Sequence, residues 1–163
     1  MAMTSYLKVE GMRQGPIEGD CTQKGQEKWI LVYGLDHSVE LPRDPLSGLP
    51  TGQRMHKPFV ITKAVDQASP LLYAACSSGE HMKKWELVYK RINEKGQEEK
   101  YFTIALENAV IVRIRHYKPL TLLETNKPYY DMEEIAFSYT RITWTHNIAS
   151  KEAVDDWNEP VNA

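Results

Sequence analysis

The sequence predicts a mainly β fold with one short helix, in which antiparallel strands close into a barrel or fold into a sandwich. Three observations predict it: apolar residues alternate with period two along most of the chain, one segment carries helix-capping signals, and two proline- or glycine-rich segments are typical of long loops. The 163 residues, 42% hydrophobic and 26% charged, are enough for the core of one domain, which we place at residues 1–163. Antiparallel sheets of this size usually take one of those two architectures.

The first strands show two kinds of pattern. A short N-terminal strand carries Leu7 and Val9 on one face and polar residues on the other. The next run, KWILVYGLDHSVEL, is apolar on both faces: one parity holds Trp29, Leu31, Tyr33 and Leu35, and the other holds Ile30 and Val32. A strand that is apolar on both faces is covered on both faces. Its far side should therefore meet a second sheet, a helix or another subunit.

One helix is predicted from Pro70 to Ser77. Ser69 suits the N-cap, Pro70 suits the first helical position, and Gly79 suits the residue just past the end. We expect the apolar side of this helix to pack on the sheet through Leu71, Leu72 and Ala75.

The second half of the chain predicts a hairpin and then a final strand. Apolar and polar residues alternate from Trp85 to the turn NEKGQ, where Gly96 can adopt the positive φ of a tight turn. The return strand runs to about residue 114, with a kink or bulge at residues 106–108. In MEEIAFSYTRITWTHN the apolar parity switches midway, which indicates a bulge or a change of packing partner. Residues 147–163 predict a polar tail in which Trp157 occupies a groove.

Two long loops interrupt the strand pattern. The stretch LPRDPLSGLPTGQRMHKPF contains four prolines and two glycines, and a second loop, KPLTLLETNKPYYD, spans residues 118–131. Folded back on itself, the seventeen-residue segment 42–58 would project about 25 Å. Ordered loops of this length usually have a function, and prolines lower the entropy that such a loop loses on docking.

Charge, cysteine content and hydropathy narrow the classes of function. Lys and Arg (20) nearly balance Asp and Glu (22), which argues against a nucleic-acid partner. Cys21 and Cys76 lie far apart and outside any CxxC pair, as free thiols of a reducing cytosol do. Neither a signal peptide nor a run of ~20 apolar residues is found, so we expect no membrane insertion and an export route without an N-terminal signal.

Reactive constellations are scarce, which favours a structural or interaction protein over an enzyme. The five histidines have no metal-ligand spacing and no GxSxG motif occurs, so we expect no catalytic, cofactor-binding or metal-binding residues. Two alternatives stay open. One is a hydrolase that uses His56 or His116. The other is a small β-barrel that binds single-stranded nucleic acid through Lys83, Lys84, Trp85, Tyr89 and Arg91.

Four segments carry a resemblance to a known family. LPTGQRMHKPF, SPLLYAACSSGEHMKKWELVYKR, YFTIALENAVIVRI and FSYTRITWTH are similar to the haemolysin-coregulated protein (Hcp) family of bacterial type VI secretion systems. The resemblance covers nearly the whole chain. It implies a compact β-barrel of two packed antiparallel sheets with a short helix, no enzymatic activity, and a homohexameric ring. It further implies that rings stack into a tube with a tip spike protein, a contractile sheath and effector proteins in the lumen.

On this resemblance, the first long loop and the doubly apolar strand are expected to be subunit contacts. The loop at 42–58 should lie against a neighbouring subunit, in the same ring or the ring above. A charge at Val32 should cost either folding or ring formation. The candidate interface residues are Tyr6, Trp29, Leu31, Val32, Arg43, Asp44, Pro45, Leu46, Pro50 and Arg54.

Overall fold

Thirteen strands and one α-helix make up residues 2–159, the part of the chain that the computed structural model describes. The elements in chain order are β1 (Ser5–Gly11), β2 (Gly15–Ile17), β3 (Ile30–Val32), β4 (Gly34–Asp36), β5 (Val39–Glu40), β6 (Met55–His56), β7 (Phe59–Ala64), α1 (Ser69–Ser78), β8 (Met82–Ile92), β9 (Glu98–Glu107), β10 (Val110–Tyr117), β11 (Met132–Ser138), β12 (Arg141–His146) and β13 (Lys151–Asp156). A single 3₁₀ turn, Glu124–Asn126, lies in the second long loop.

The strands form two main antiparallel sheets. In sheet A the order is β13-β12-β9-β8-β1-β2, and β3 also pairs with β1. In sheet B the order is β10-β11-β7-β4, while β5 and β6 form a separate two-stranded hairpin. The mainly β prediction, with two packed sheets and one short helix, is confirmed.

The core lies between the two sheets, and its centre is aromatic. Trp85 of β8 is 2% exposed and meets Phe59 of β7 and Phe137 of β11 edge-to-face, with ring centroids 5.1 and 5.6 Å away. Leu72 and Ala75 of α1 join the same cluster, and α1 packs against β10. Edge-to-face rings add to the free energy gained by removing large apolar surface from water.

The helix differs from its prediction at two points. Its C-terminus is as predicted, because Gly79 has a φ of 67° and ends the helix. At the other end Ala68 is the N-cap and Ser69 is already helical; the Ser69 hydroxyl donates to Glu133 and accepts from the Asp66 amide, which precedes the helix. Leu71, predicted to pack on the sheet, is exposed.

Three predicted strands are broken where the chain crosses between layers. The run from Trp29 becomes β3 in sheet A, β4 in sheet B and β5 in the separate hairpin. The expected kink at residues 106–108 is where Asn108, with a φ of 55°, separates β9 of sheet A from β10 of sheet B. The parity switch in the predicted last strand is likewise the change from β11 to β12. That strand is not the final one, because the polar tail contains β13, which pairs with β12.

Candidate functional site

The first long loop is an ordered hairpin, which we call the arm (Val39–His56). Its base is the β5–β6 pair, and an isolated bridge joins Arg43 to Pro50 further out. At the tip, an Asp44 carboxylate oxygen accepts a hydrogen bond from the Leu46 amide at 2.9 Å. Leu46 lies seven residue steps along the chain from Val39, so the arm projects by at most about 25 Å.

The arm presents apolar side chains to solvent at its tip. Leu46 is 97% exposed and Leu49 is 65% exposed. The predicted contact residues Arg43, Pro45 and Pro50 are exposed beside them. Leu46 and Leu49 are exposed together at the tip of an ordered hairpin, and apolar groups exposed side by side are typical of a surface that a partner covers.

The base of the arm is fixed to the C-terminal strand by a partly buried ion pair. Arg54 donates two hydrogen bonds of 2.7 Å to the Asp155 carboxylate and further ones to the carbonyl oxygens of Asp156 and Glu159. The partner that we predicted for Arg54 in another subunit is therefore in its own chain, because β13 runs beside the arm. Asp44 is also occupied in its own chain, by the tip turn.

A second set of contacts joins the arm base to the core. His56 Nε2 lies 2.7 Å from an Asp155 oxygen, and His56 Nδ1 lies 2.7 Å from Tyr139 Oη. His37 Nε2 lies 2.6 Å from the same Tyr139 oxygen. We call His37, Arg54, His56, Tyr139 and Asp155 the arm joint.

The environment of the arm joint shifts the pKa values of its members. Hydrogen bonds from Arg54 lower the pKa of Asp155, so that carboxyl stays ionised. Burial lowers the pKa of His37, and the neighbouring His56 lowers it further. Burial also raises the pKa of Tyr139, which keeps its proton. No spacing in the sequence could have predicted this cluster, because its members come from four separate segments.

Of the four candidate interface residues in or next to β1 and β3, two are buried and two are partly exposed. Tyr6 and Val32 are buried by the chain itself, so the expectation that they offer surface to a subunit is corrected. Strand β1 is also not an edge, because β8 lies on one side and β2 and β3 on the other. Trp29 and Leu31 are partly exposed and remain candidates.

An aromatic patch next to these residues was missed by the sequence analysis. Tyr33 is exposed and stacks on Tyr130 with ring centroids 6.3 Å apart. Both rings line a recess of about 260 Å³ together with Pro128, Tyr129 and Met132. The exposed face of the doubly apolar run is thus the one that contains Tyr33 and Leu35.

The nucleic-acid alternative loses its central stacking residue. Trp85 lies in the core, so it cannot stack on a base, and Tyr89 is half-buried against Phe102. Lys83, Lys84 and Arg91 are exposed without that platform.

The hydrolase alternative gains no support from its two histidines. His56 has a side chain only 1% exposed and is hydrogen-bonded on both nitrogens, whereas His116 is half-exposed and 3.9 Å from Glu133. Between residues 2 and 159, no group of three or more His, Cys, Asp or Glu side chains has the geometry to hold a metal ion. Over the same residues, no helix is long and apolar enough to cross a membrane.

Comparisons with known proteins agree with this architecture. A family model described as "Type VI secretion system effector, Hcp" matches residues 6–146. The "Major exported protein" of Pseudomonas aeruginosa is 42% identical over 170 residues, which cover 99% of both chains. A solved Hcp structure superposes with a TM-score of 0.89 at 32% identity, covering 96% of this chain and 99% of the other. The secreted protein Hcp3 of Pseudomonas aeruginosa gives 0.78 at 35% identity, with the same coverages. With its two main sheets, its short helix and its arm, this chain belongs to the Hcp family of type VI secretion system proteins.

Proposed function

We propose that the chain is the tube subunit of a type VI secretion system. Six copies form a ring, rings stack into the inner tube, and a contractile sheath drives the tube, tipped by a spike protein, out of the bacterium. The tube carries effector proteins in its lumen. The subunit acts as a structural protein and not as an enzyme, and it passes from the cytoplasm to the outside. Family membership supports this proposal, as does its similarity to the "Major exported protein" of Pseudomonas aeruginosa.

The observation that carries the proposal is the exposed apolar tip on an anchored arm. Leu46 is 97% exposed although the turn around it is ordered by hydrogen bonds. Covering one leucine contributes about 2 kcal/mol. Six equivalent tips at one ring–ring interface would together contribute on the order of 12 kcal/mol, because the first contact makes the others intramolecular.

The arm's anchoring favours docking over free motion. Arg54 and His56 already hold its base to β13, so little conformational entropy remains to be lost when the tip binds. The aromatic patch around Tyr33 and Tyr130 offers further apolar area on the same chain. We propose that the tip of one copy and the exposed apolar strand surface of its neighbours are covered in the assembly.

The test is assembly of the purified chain, followed by light scattering on a sizing column and by negative-stain microscopy. We expect annular particles with the mass of six copies, and longer tubes at high concentration. Leu46→Asp, or deletion of residues 44–51, should leave a folded subunit that stacks poorly. Lys95→Asp, a charge change in the exposed turn between β8 and β9, is the matched control and should stack normally. A chain that stayed monomeric at high concentration would overturn the proposal, and normal tubes from the deletion variant would overturn the role of the arm.

A further inference from the structure

In the arm joint, one hydrogen bond has a known donor and acceptor, and it determines which atoms donate in the others. The Asp155 carboxylate can only accept, so His56 Nε2 carries a proton and donates it at 2.7 Å. In neutral His56 the other nitrogen, Nδ1, then accepts from the Tyr139 hydroxyl. The Tyr139 oxygen in turn accepts from His37 Nε2–H. With both histidines neutral, every donor in the chain from His37 to Asp155 has an acceptor.

One added proton is accommodated without breaking any contact. His56 is shielded from solvent, whereas His37 lines a surface recess of about 490 Å³. A proton that binds His37 Nδ1 is relayed when the Nε2 proton moves to Tyr139 Oη and the Tyr139 proton moves to His56 Nδ1. Both bonds to Tyr139 then run in the opposite direction. The positive charge lies on His56 beside the Asp155 carboxylate.

A second added proton cannot be accommodated without breaking a hydrogen bond. With both imidazoles charged, His37 Nε2 and His56 Nδ1 both donate to Tyr139 Oη, and the Tyr139 hydroxyl proton loses its acceptor. The two rings are also only 6.4 Å apart, centroid to centroid, so their charges repel. A buried hydroxyl without an acceptor and two neighbouring cations both destabilise the closed joint.

The charged groups around the two histidines do not remove this conflict. His37 shares its recess with Asp36, Lys57 and Arg113, which together add more positive than negative charge. His56 faces Asp155, but that carboxylate is already paired with Arg54.

From this geometry we infer that the arm joint is an acid-sensitive hinge, which holds the arm against β13 with no more than one of its two histidines protonated and releases it on the second protonation. The hinge acts within one chain. Its effect on assembly rests on the proposed function: arms released from β13 would dock less well, so self-association should weaken in mild acid.

Hydrogen–deuterium exchange with peptide mass spectrometry tests the hinge on the full chain, with rates corrected for the intrinsic effect of pH. Between pH 7.5 and pH 5 we expect peptides covering β5, β6 and β13 to lose protection at least tenfold, while β8 and β9 keep theirs. His37→Gln retains a donor at the Nε2 position but cannot take the second proton, so its arm should stay protected at pH 5. His81→Gln changes an exposed histidine outside the joint and should behave like the parent.

Two results would overturn the hinge: a parent arm that keeps its protection at pH 5, or a His37→Gln arm that loses protection as the parent does. Trp157 gives a second readout, because its indole stacks on His56 at 6.0 Å and is quenched when that imidazole is protonated. The fluorescence of Trp157 is obtained by subtracting the signal of the Trp157→Phe variant from that of the parent. This fluorescence should fall in acid before the protection against hydrogen exchange is lost. These measurements report on the single chain, so rings that never form would refute the tube proposal and leave the hinge standing.

Discussion

A buried ion pair joins the two central strands of sheet B and gives the sharpest prediction on stability. Lys63 of β7 is fully buried and its ammonium group bonds to Glu133 of β11, which is also buried. The same ammonium contacts the Ser69 hydroxyl at 3.1 Å, the Ala64 carbonyl oxygen at 2.9 Å and an Asp66 carboxylate oxygen at 3.0 Å. One cation therefore serves two carboxylates.

Because two carboxylates share one ammonium group, removing Lys63 should lower the free energy of unfolding more than removing the Glu133 charge. Removing one partner of a buried pair costs about 3–5 kcal/mol, because the remaining charge stays in a medium of low polarity. In Glu133→Gln, Lys63 keeps the Asp66 carboxylate, so we expect about 3 kcal/mol. In Lys63→Met, Glu133 and Asp66 lose their only shared cation, so we expect about 5 kcal/mol. The double variant Lys63→Met with Glu133→Leu should recover part of that loss.

Urea unfolding followed by tryptophan fluorescence measures these differences, at concentrations where light scattering reports one species. Unfolding free energies from the linear extrapolation can be compared directly if the slopes of the variants agree. The reasoning is refuted if Glu133→Gln is more destabilising than Lys63→Met, or if both cost less than about 1 kcal/mol.

Two further predictions concern single substitutions at closely packed positions. Val32→Asp should prevent folding and not merely ring formation, because Val32 is 2% exposed in the core; a soluble monomer with the parent circular dichroism spectrum would contradict this. Gly11→Ala should displace Glu80, since a Cβ there would lie 2.0 Å from the oxygen that accepts from the amides of Arg13 and Gln14. Those hydrogen bonds lower the pKa of Glu80. They therefore stabilise the fold at pH values above ~4.3, and this stabilisation is lost as the pH falls through the pKa of Glu80 in the folded protein. The stability gap between parent and Gly11→Ala should therefore narrow in acid, and a gap independent of pH would show that Glu80 is not the cause.

Local signals predicted the elements well and their partners poorly. The alternation of apolar and polar residues identified most of the strands. Gly79 follows the helix and Gly96 lies in the hairpin turn, as expected, because only a residue without Cβ adopts a positive φ freely. The break at Tyr33 was not predicted, and at residues 106–108 the sequence predicted a kink but not a change of sheet, because the side-chain pattern stays apolar while the chain passes from one sheet to the other. A short strand such as β13, polar and exposed, has no apolar alternation from which to be predicted.

The arm shows the same division between local and distant information. Its prolines and glycines predicted a projecting loop, and the structure shows a hairpin there with Leu46 at its tip. The joint at its base was not predictable, because His37, His56, Tyr139 and Asp155 meet only after the two sheets have formed. Arg54 was therefore expected to seek a partner outside, while the fold already supplied one at Asp155.

Exposed apolar surface on a protein favours aggregation unless its extent is limited, and here neighbouring charged residues limit it. One outer strand of each main sheet carries exposed charges: β10 of sheet B exposes Arg113 and Arg115 beside Val112, and β13 of sheet A exposes Lys151 and Glu152. Unpaired strand edges that carry such charges resist non-specific pairing. The apolar tip, in contrast, lies on a two-stranded arm and offers only a small contact to each partner. A geometry of this kind favours one defined contact per copy, repeated by symmetry, over open-ended sheet growth.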